Sequence, residues 1–445
     1  MDRQNRSYLV MLALLTLSLV LAACAQPAPT VAPTSQPIAA TQAPAPAEPT
    51  AAPKPTATPK PSREPAALTM WVYLTDPELA ALNSVLEGWK AKTGDTVTVV
   101  NYPYFDMLNK VEVAFPAGEG PDLLEAPHTN TGVWGKAGLI APFPEGVLSA
   151  EERAQYQPSA LQAFTFGGKL YGIPQIPDTV VLMYNKALLP EPPKTMDELI
   201  EKAKALTKDG TYGFLVLDNN MWFGWPFVGG YGGYIFGATS NGYDAKDIGL
   251  ASKGAADGLS YLLKLRNEYK LIPADLDWNV LTGKFTEGKV AAIVMNPNQY
   301  SVYKQAKVDV GMAVLPKLPN GEMPRPLLNV HGWAINGYSK KQQAAAELAV
   351  YLGANLPVPL FKAGAGNIPV RLDAAKDPAI ASNADAAAAA QQVGFAQAVP
   401  NIPEMAQVWA PADSAFQLAA KGDKTPMQAL QEAADAIGKA IASQQ

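Results

Sequence analysis

Apolar positions along residues 66–445 follow two periods in alternation. Residues 68–73 (Leu-Thr-Met-Trp-Val-Tyr) form a short apolar run closed by the polar Thr75-Asp76, which predicts a strand. Residues 77–93 follow with Leu79, Leu82, Val85, Leu86 and Trp89 on one helical stripe. Residues 96–100 predict a second strand and residues 122–124 open a third. Strands separated by single helices predict parallel sheets with crossover helices. The pattern then restarts after Leu170-Tyr171-Gly172-Ile173-Pro174, and a helix opens at residues 193–198, where Thr195 and Glu198 have the spacing of a capping box. Residues 290–295 and 332–335 have strand character again, and the C-terminal third is alanine-rich helix. No internal repeat is present. The length from residue 66 on exceeds what one apolar core fills, which predicts two lobes.

The first 65 residues follow another pattern. Arg3 and Arg6 precede an apolar run over residues 8–21, too short for a comfortable membrane span, and Leu21-Ala22-Ala23-Cys24 ends it. Charged, apolar and small residues in that order make a secretory signal, and a cysteine just after the small residues suits lipid attachment to its thiol. An ordinary signal peptide followed by a chance cysteine is the alternative. Residues 25–65 are nearly all Pro, Ala and Thr, a composition that cannot bury enough surface to offset its ordering entropy. Such a segment is a polyproline-like tether with an upper reach of about 100 Å. The expected layout is a signal peptide over 1–23 and a lipidated Cys24 with its tether over 24–65. The protein would work in the water outside a bilayer, in a periplasmic space or on the outer face of the cytoplasmic membrane.

Composition then narrows the chemistry. The formal net charge of −5 comes without a basic stripe, which argues against nucleic acid as a partner. Cys24 is the sole cysteine, so no disulfide is expected. His128 and His331 are the only histidines and stand far apart in sequence, which gives no metal pattern. The glycines of residues 229–233 miss the dinucleotide spacing and read as a tight turn, and Phe285 after Gly283-Lys284 breaks a phosphate loop. No cofactor or catalytic motif is expected.

Gly118-Glu119-Gly120-Pro121-Asp122-Leu123-Leu124, Met183-Tyr184-Asn185-Lys186-Ala187-Leu188-Leu189-Pro190, Trp225-Pro226 with Gly232-Gly233-Tyr234, and Val399-Pro400-Asn401-Ile402-Pro403 carry a resemblance. With these elements the chain resembles the maltose/maltodextrin-binding proteins of the bacterial extracellular solute-binding family, over essentially the whole region after the tether. The resemblance implies a periplasmic-binding-protein-like α/β fold of two lobes joined by hinge strands, with the ligand cleft between them. It places one lobe over 66–177 with about 332–378 and the other over about 178–331 with about 379–445. It also implies a monomer that captures an oligosaccharide for the permease of an ABC importer.

A sugar offers apolar C–H faces and a rim of hydroxyls, so its cleft needs flat aromatics and polar groups for hydrogen bonding. Residues 219–225 (Asn-Asn-Met-Trp-Phe-Gly-Trp) have this character and follow the apolar residues 214–217, as a loop at a strand end would. The resemblance puts Trp222, Phe223 and Trp409 at stacking positions, although core packing is the alternative for each. It puts Asp178 at the site of an acidic sugar ligand, and Tyr73 with Asp76 at a polar position where the family has a lysine in place of Asp76. His128 and Asn130 follow the third strand; Thr129 and Asn130 replace an acid–arginine pair of the family there, and Ala126 replaces a tryptophan. Asn298 replaces another stacking tryptophan, with Tyr300 close by. A longer maltodextrin, a cyclodextrin or another glucoside fits these departures, a polyamine would also suit Trp and Asp, and Asp76 with Asp178 could be cast as a glycosidase pair.

Overall fold

The computed structural model describes residues 63–240, 242–364 and 368–443. Cys24 and the tether up to residue 62 lie outside the described residues. The chain is already docked at Arg63, inside the segment expected to be tether: its guanidinium bonds both oxygens of the buried Asp95 at 2.8 and 2.5 Å and Glu347 at 3.0 Å.

The elements run β1 (Ala67–Val72), α1 (Asp76–Thr93), β2 (Thr96–Asn101), α2 (Tyr104–Ala114), β3 (Leu123–Pro127), β4 (Gly172–Asp178), β5 (Val181–Asn185), α3 (Met196–Leu206), α4 (Met221–Gly230), β6 (Ala292–Met295), β7 (Val310–Ala313), β8 (Leu327–Asn336), α5 (Gln342–Asn355), α6 (Ala384–Phe395), β9 (Gln397–Ala398), α7 (Trp409–Lys421) and α8 (Pro426–Ala442), with shorter pieces between. The first lobe carries a seven-stranded sheet in the order β9-β8-β3-β1-β2, with β4 and the two-residue strand Ile140–Ala141 also on β8. β1, β2 and β3 are parallel, as the alternation of strands and helices predicts, while β8 runs antiparallel to β3 and β4. The expectation of wholly parallel sheets therefore fails at β8, a return strand that arrives from the other lobe. The second lobe departs further, because β6-β5-β7 is antiparallel. Among the described residues, isolated bridges at Thr195–Lys317, Tyr212–Val290 and Leu215–Ile293 run parallel there.

Period-2 alternation explains the two sides of the first sheet. Leu68, Met70 and Val72 pack into one core with Leu82, Trp89, Trp333 and Leu348, while Trp71 between them packs with Phe115, Leu124 and Trp134 on the other face. The second lobe has one large core that includes Leu182, Phe214, Trp225, Leu262, Ile293 and Phe416. Residues 172–178 form β4, paired along β8 in the first sheet. The crossing then occurs over Asp178–Val181, where the Thr179 hydroxyl donates to Leu327 O at 2.7 Å and ties the two crossing strands together.

The motifs that carry the resemblance fix these joints. Asp122 accepts from Thr69 N at 2.9 Å and from the Ser339 hydroxyl at 2.6 Å, joining β3, β1 and the approach to α5. Asn185 caps the end of β5 through Ala187 N at 3.1 Å and reaches Gly288 O. Asn401 donates to Ala163 O and Thr165 O, each at 2.7 Å, which clamps the last crossing chain onto the first lobe. A Cβ at Gly132 would come within 2.1 Å of Asn401 O, so a side chain there would push this clamp apart.

Candidate ligand-binding site

β1, β3 and β4 all point their C-terminal ends the same way, since β8 is antiparallel to both β3 and β4. Tyr73, the residues after Pro127, and Asp178 therefore emerge at one edge of the first sheet. In the second lobe Val181 pairs with Met295, and Leu215 runs parallel to Ile293. Residues 178–180, 296–298 and 217–222 accordingly leave that sheet at one end as well. The two strand-end edges meet at Asp178, the place where open α/β sheets form clefts.

A cavity of about 270 Å³ opens at this meeting point, lined by Tyr73, Thr75, Glu78, Glu125, Asp178, Asn298 and His331 among others. Asp178 accepts from Asn296 Nδ2 at 2.7 Å, which draws the segment carrying Asn298 against the hinge. Burial pushes the Asp178 carboxyl up to about 6 despite that bond. Behind it Glu125, 2% exposed, is pushed by burial up to about 8 and accepts from Tyr73 N at 3.4 Å. The Tyr73 hydroxyl bonds His331 Nδ1, and Tyr104 packs edge-on to Tyr73 with centroids 4.8 Å apart. Burial drives His331 down to about 3, so it is a neutral hydrogen-bonding group at neutral pH.

The structure therefore brings Tyr73, Asp178 and Asn298 together. It places four other expected residues elsewhere. His128 is fully buried: Nε2 donates to Val399 O at 2.9 Å and Nδ1 accepts from Val330 N at 2.9 Å, so neither nitrogen is free for a ligand. Burial lowers it to about 4, which keeps it neutral inside this joint. Tyr300 is buried in the second lobe, where its hydroxyl donates to Asp385 at 2.7 Å. Asp76 is exposed in the first turn of α1 and is not part of the cavity lining, although its neighbours Thr75 and Glu78 are. Asn130 is half-buried beyond His128, at the N-terminus of a one-turn helix.

Trp222, Phe223 and Trp409 form a second group. Residues 219–225, expected as a loop, end in a helix: Asn220 is the N-cap of α4 and accepts from Phe223 N at 3.3 Å. Asp413, one turn after Trp409 on the same face of α7, accepts from Met221 N at 2.8 Å and from Asn220 Nδ2 at 3.3 Å. This bond fastens the helix start that carries Trp222 to the helix face that carries Trp409. The buried pair Asp218–Arg266, 2.6 Å apart, fixes the chain just before it. Trp222 and Trp409 are half-buried on the second core. Phe223 is buried against Trp278, its ring 5.7 Å away, so Trp278 and not Phe223 offers the exposed face.

Glu125, His331 and Tyr104 escaped the sequence reading. A lone charge in an otherwise fully buried strand was the available signal for Glu125; the other two join the site only through tertiary packing.

The profile of the bacterial extracellular solute-binding proteins matches residues 73–355. The chain belongs to that family. Its relatives include the galactooligosaccharide-binding protein of Bacillus subtilis (strain 168), 35% identical over 76% of this chain and 81% of the relative. The maltodextrin-binding protein MdxE of the same organism is 32% identical over 81% of this chain and 87% of its own length. Among solved structures, a cyclo/maltodextrin-binding protein complexed with maltotetraose superimposes with a TM-score of 0.80 at 32% identity, covering 86% of this chain and 99% of the other. The extracellular solute-binding protein of Staphylococcus aureus in complex with maltose gives 0.76 at 32% identity, covering 86% and 100%. As in these solute-binding proteins, the chain folds as two α/β lobes.

Proposed function

We propose that this protein is the capture subunit of a sugar ABC importer. It takes an oligosaccharide of the maltodextrin type between its lobes, closes on it and presents it to a membrane permease, held at the membrane by a lipid on Cys24. The observation that carries this reading is the cavity at the meeting strand ends, which offers Tyr73 and the Asp178 carboxyl, together with the half-buried aromatic pair Trp222 and Trp409 that Asp413 fastens on the second lobe. Stacking surface together with hydrogen-bonding groups suits a sugar. Binding without chemistry is the expectation, since Asp178 is bonded to Asn296 and Asp76 lies outside the cavity lining. A galactooligosaccharide is the second reading, favoured by the 35% identity to a protein named for that ligand.

The test is a thermal-shift panel of maltodextrins, cyclodextrins, galactooligosaccharides and polyamines, with analysis of the sugars recovered afterwards. A sugar at about 100 times its Kd should stabilise the protein by about 2.7 kcal/mol and be recovered intact. A response to polyamines alone would overturn the sugar reading, and shortened sugars would overturn the binding-only reading.

A further inference from the structure

The cavity at the hinge, about 270 Å³, is below the roughly 300–1,000 Å³ of pockets that enclose a small ligand. An oligosaccharide seated in it must overhang. What lies next to it on the first lobe is aromatic. Tyr104 and Phe105 begin α2 immediately after the C-terminal end of β2, at the same sheet edge as Tyr73. Tyr104 packs on two residues of the cavity wall, Tyr73 at 4.8 Å and His331 at 6.1 Å between centroids. Phe105 follows at 5.1 Å from Tyr104, with planes at 66°. It is 75% exposed. Successive helix residues point about 100° apart, so with Tyr104 turned to the cavity wall Phe105 stands outward beside it. Single exposed apolar residues are ordinary, but this ring continues a run of rings that starts inside the cleft.

Resting on the oligosaccharide reading above, we propose that Phe105, buttressed by Tyr104, is a stacking subsite on the first lobe for the sugar units that extend beyond the hinge cavity. A pyranose laid on it would cover the exposed phenyl with its C–H face, so this residue sets a preference for longer chains. A disaccharide confined to the cavity would not reach it.

The test compares wild type, Phe105→Ala and Phe105→Tyr by calorimetric titration with maltose and maltotetraose, and with galactobiose and galactotetraose. Phe105→Ala should weaken the tetrasaccharide of the binding series about 3- to 15-fold, leave the disaccharide within about twofold, and keep the wild-type melting temperature. Phe105→Tyr should restore the preference. Equal losses for both lengths, or no loss for either, would overturn the subsite while leaving the oligosaccharide reading intact. If wild type bound none of the four sugars, the oligosaccharide reading would fall and this subsite with it.

Discussion

The two lobes carry unlike groups near the strand ends where they meet. The first offers polar groups that are already committed to one another: Tyr73 to His331, Glu125 to the Tyr73 backbone, and Asn329 Nδ2 to His331 Nε2 at 3.2 Å. The second offers two half-buried tryptophans at helix starts, held by a single carboxylate. The first wall is thus a rigid, desolvated network built by contacts distant in sequence. The second is an apolar shelf built by local helix chemistry. Stability and pH response should be concentrated in the first and affinity in the second, and each expectation can be broken separately.

The largest effect is expected at His128. His128→Leu leaves Val399 O and Val330 N buried without partners, which should cost about 3 kcal/mol of stability, read by denaturant unfolding. It should also loosen the crossing chain that Asn401 clamps. A variant as stable as wild type would show that the buried joint is dispensable.

Next come the tryptophans. Trp222→Ala and Trp409→Ala should each weaken oligosaccharide binding by about 1–3 kcal/mol, roughly 5- to 150-fold, and barely move the melting temperature without ligand. A large stability loss with affinity unchanged would make them core residues and reverse the comparison.

The smallest effect concerns protons. Burial raises Glu125 from 4.5 to about 8 and Asp178 from 3.8 to about 6, so each carboxyl holds its proton longer in the folded state than in the unfolded chain. Each therefore lowers stability as pH rises through those windows. The depressed His128 and His331 act in the opposite sense, losing stability as pH falls from 6.5 towards about 4 and about 3, so the total profile hides both. Amide variants separate them. Glu125→Gln should gain melting temperature over wild type progressively from about pH 5 to about pH 8, whereas Asp178→Asn should reach its full gain near about pH 6. A difference from wild type that stays constant with pH would contradict the buried-carboxyl account.

Much of this molecule was legible from local pattern. The strand at residues 96–100, the stripe on α1 and the Thr195 N-cap follow from periodicity and capping chemistry, and each appears within a residue or two of its expected bounds. Even there, Glu198 also reaches past the N-cap to Lys194 N at 2.7 Å. What the pattern could not show was pairing between distant segments. The antiparallel β6-β5-β7 sheet, the return strand β8 and the incorporation of residues 172–178 into the first sheet all depend on partners 100 or more residues away. The same limit divided the site. Trp222, Trp409 and Asp178 sit on local elements that the sequence marks, whereas His128 looked like a strand-end ligand only because its partners, Val330 and Val399, are remote. The motifs that betray the family, built around Asp122, Asn185 and Asn401, hold joints and do not line the hinge cavity. They identify the scaffold and leave the ligand to other residues.

The central claim is that one sugar joins both walls and so draws the lobes together, since a ligand shifts such an equilibrium only by binding the closed form better. Small-angle scattering from the chain beginning at Arg63, with and without a saturating sugar found in the panel, tests it most directly. The account predicts a smaller radius of gyration on binding, abolished when Trp222 and Trp409 are both alanine. Tight binding with an unchanged radius would contradict it.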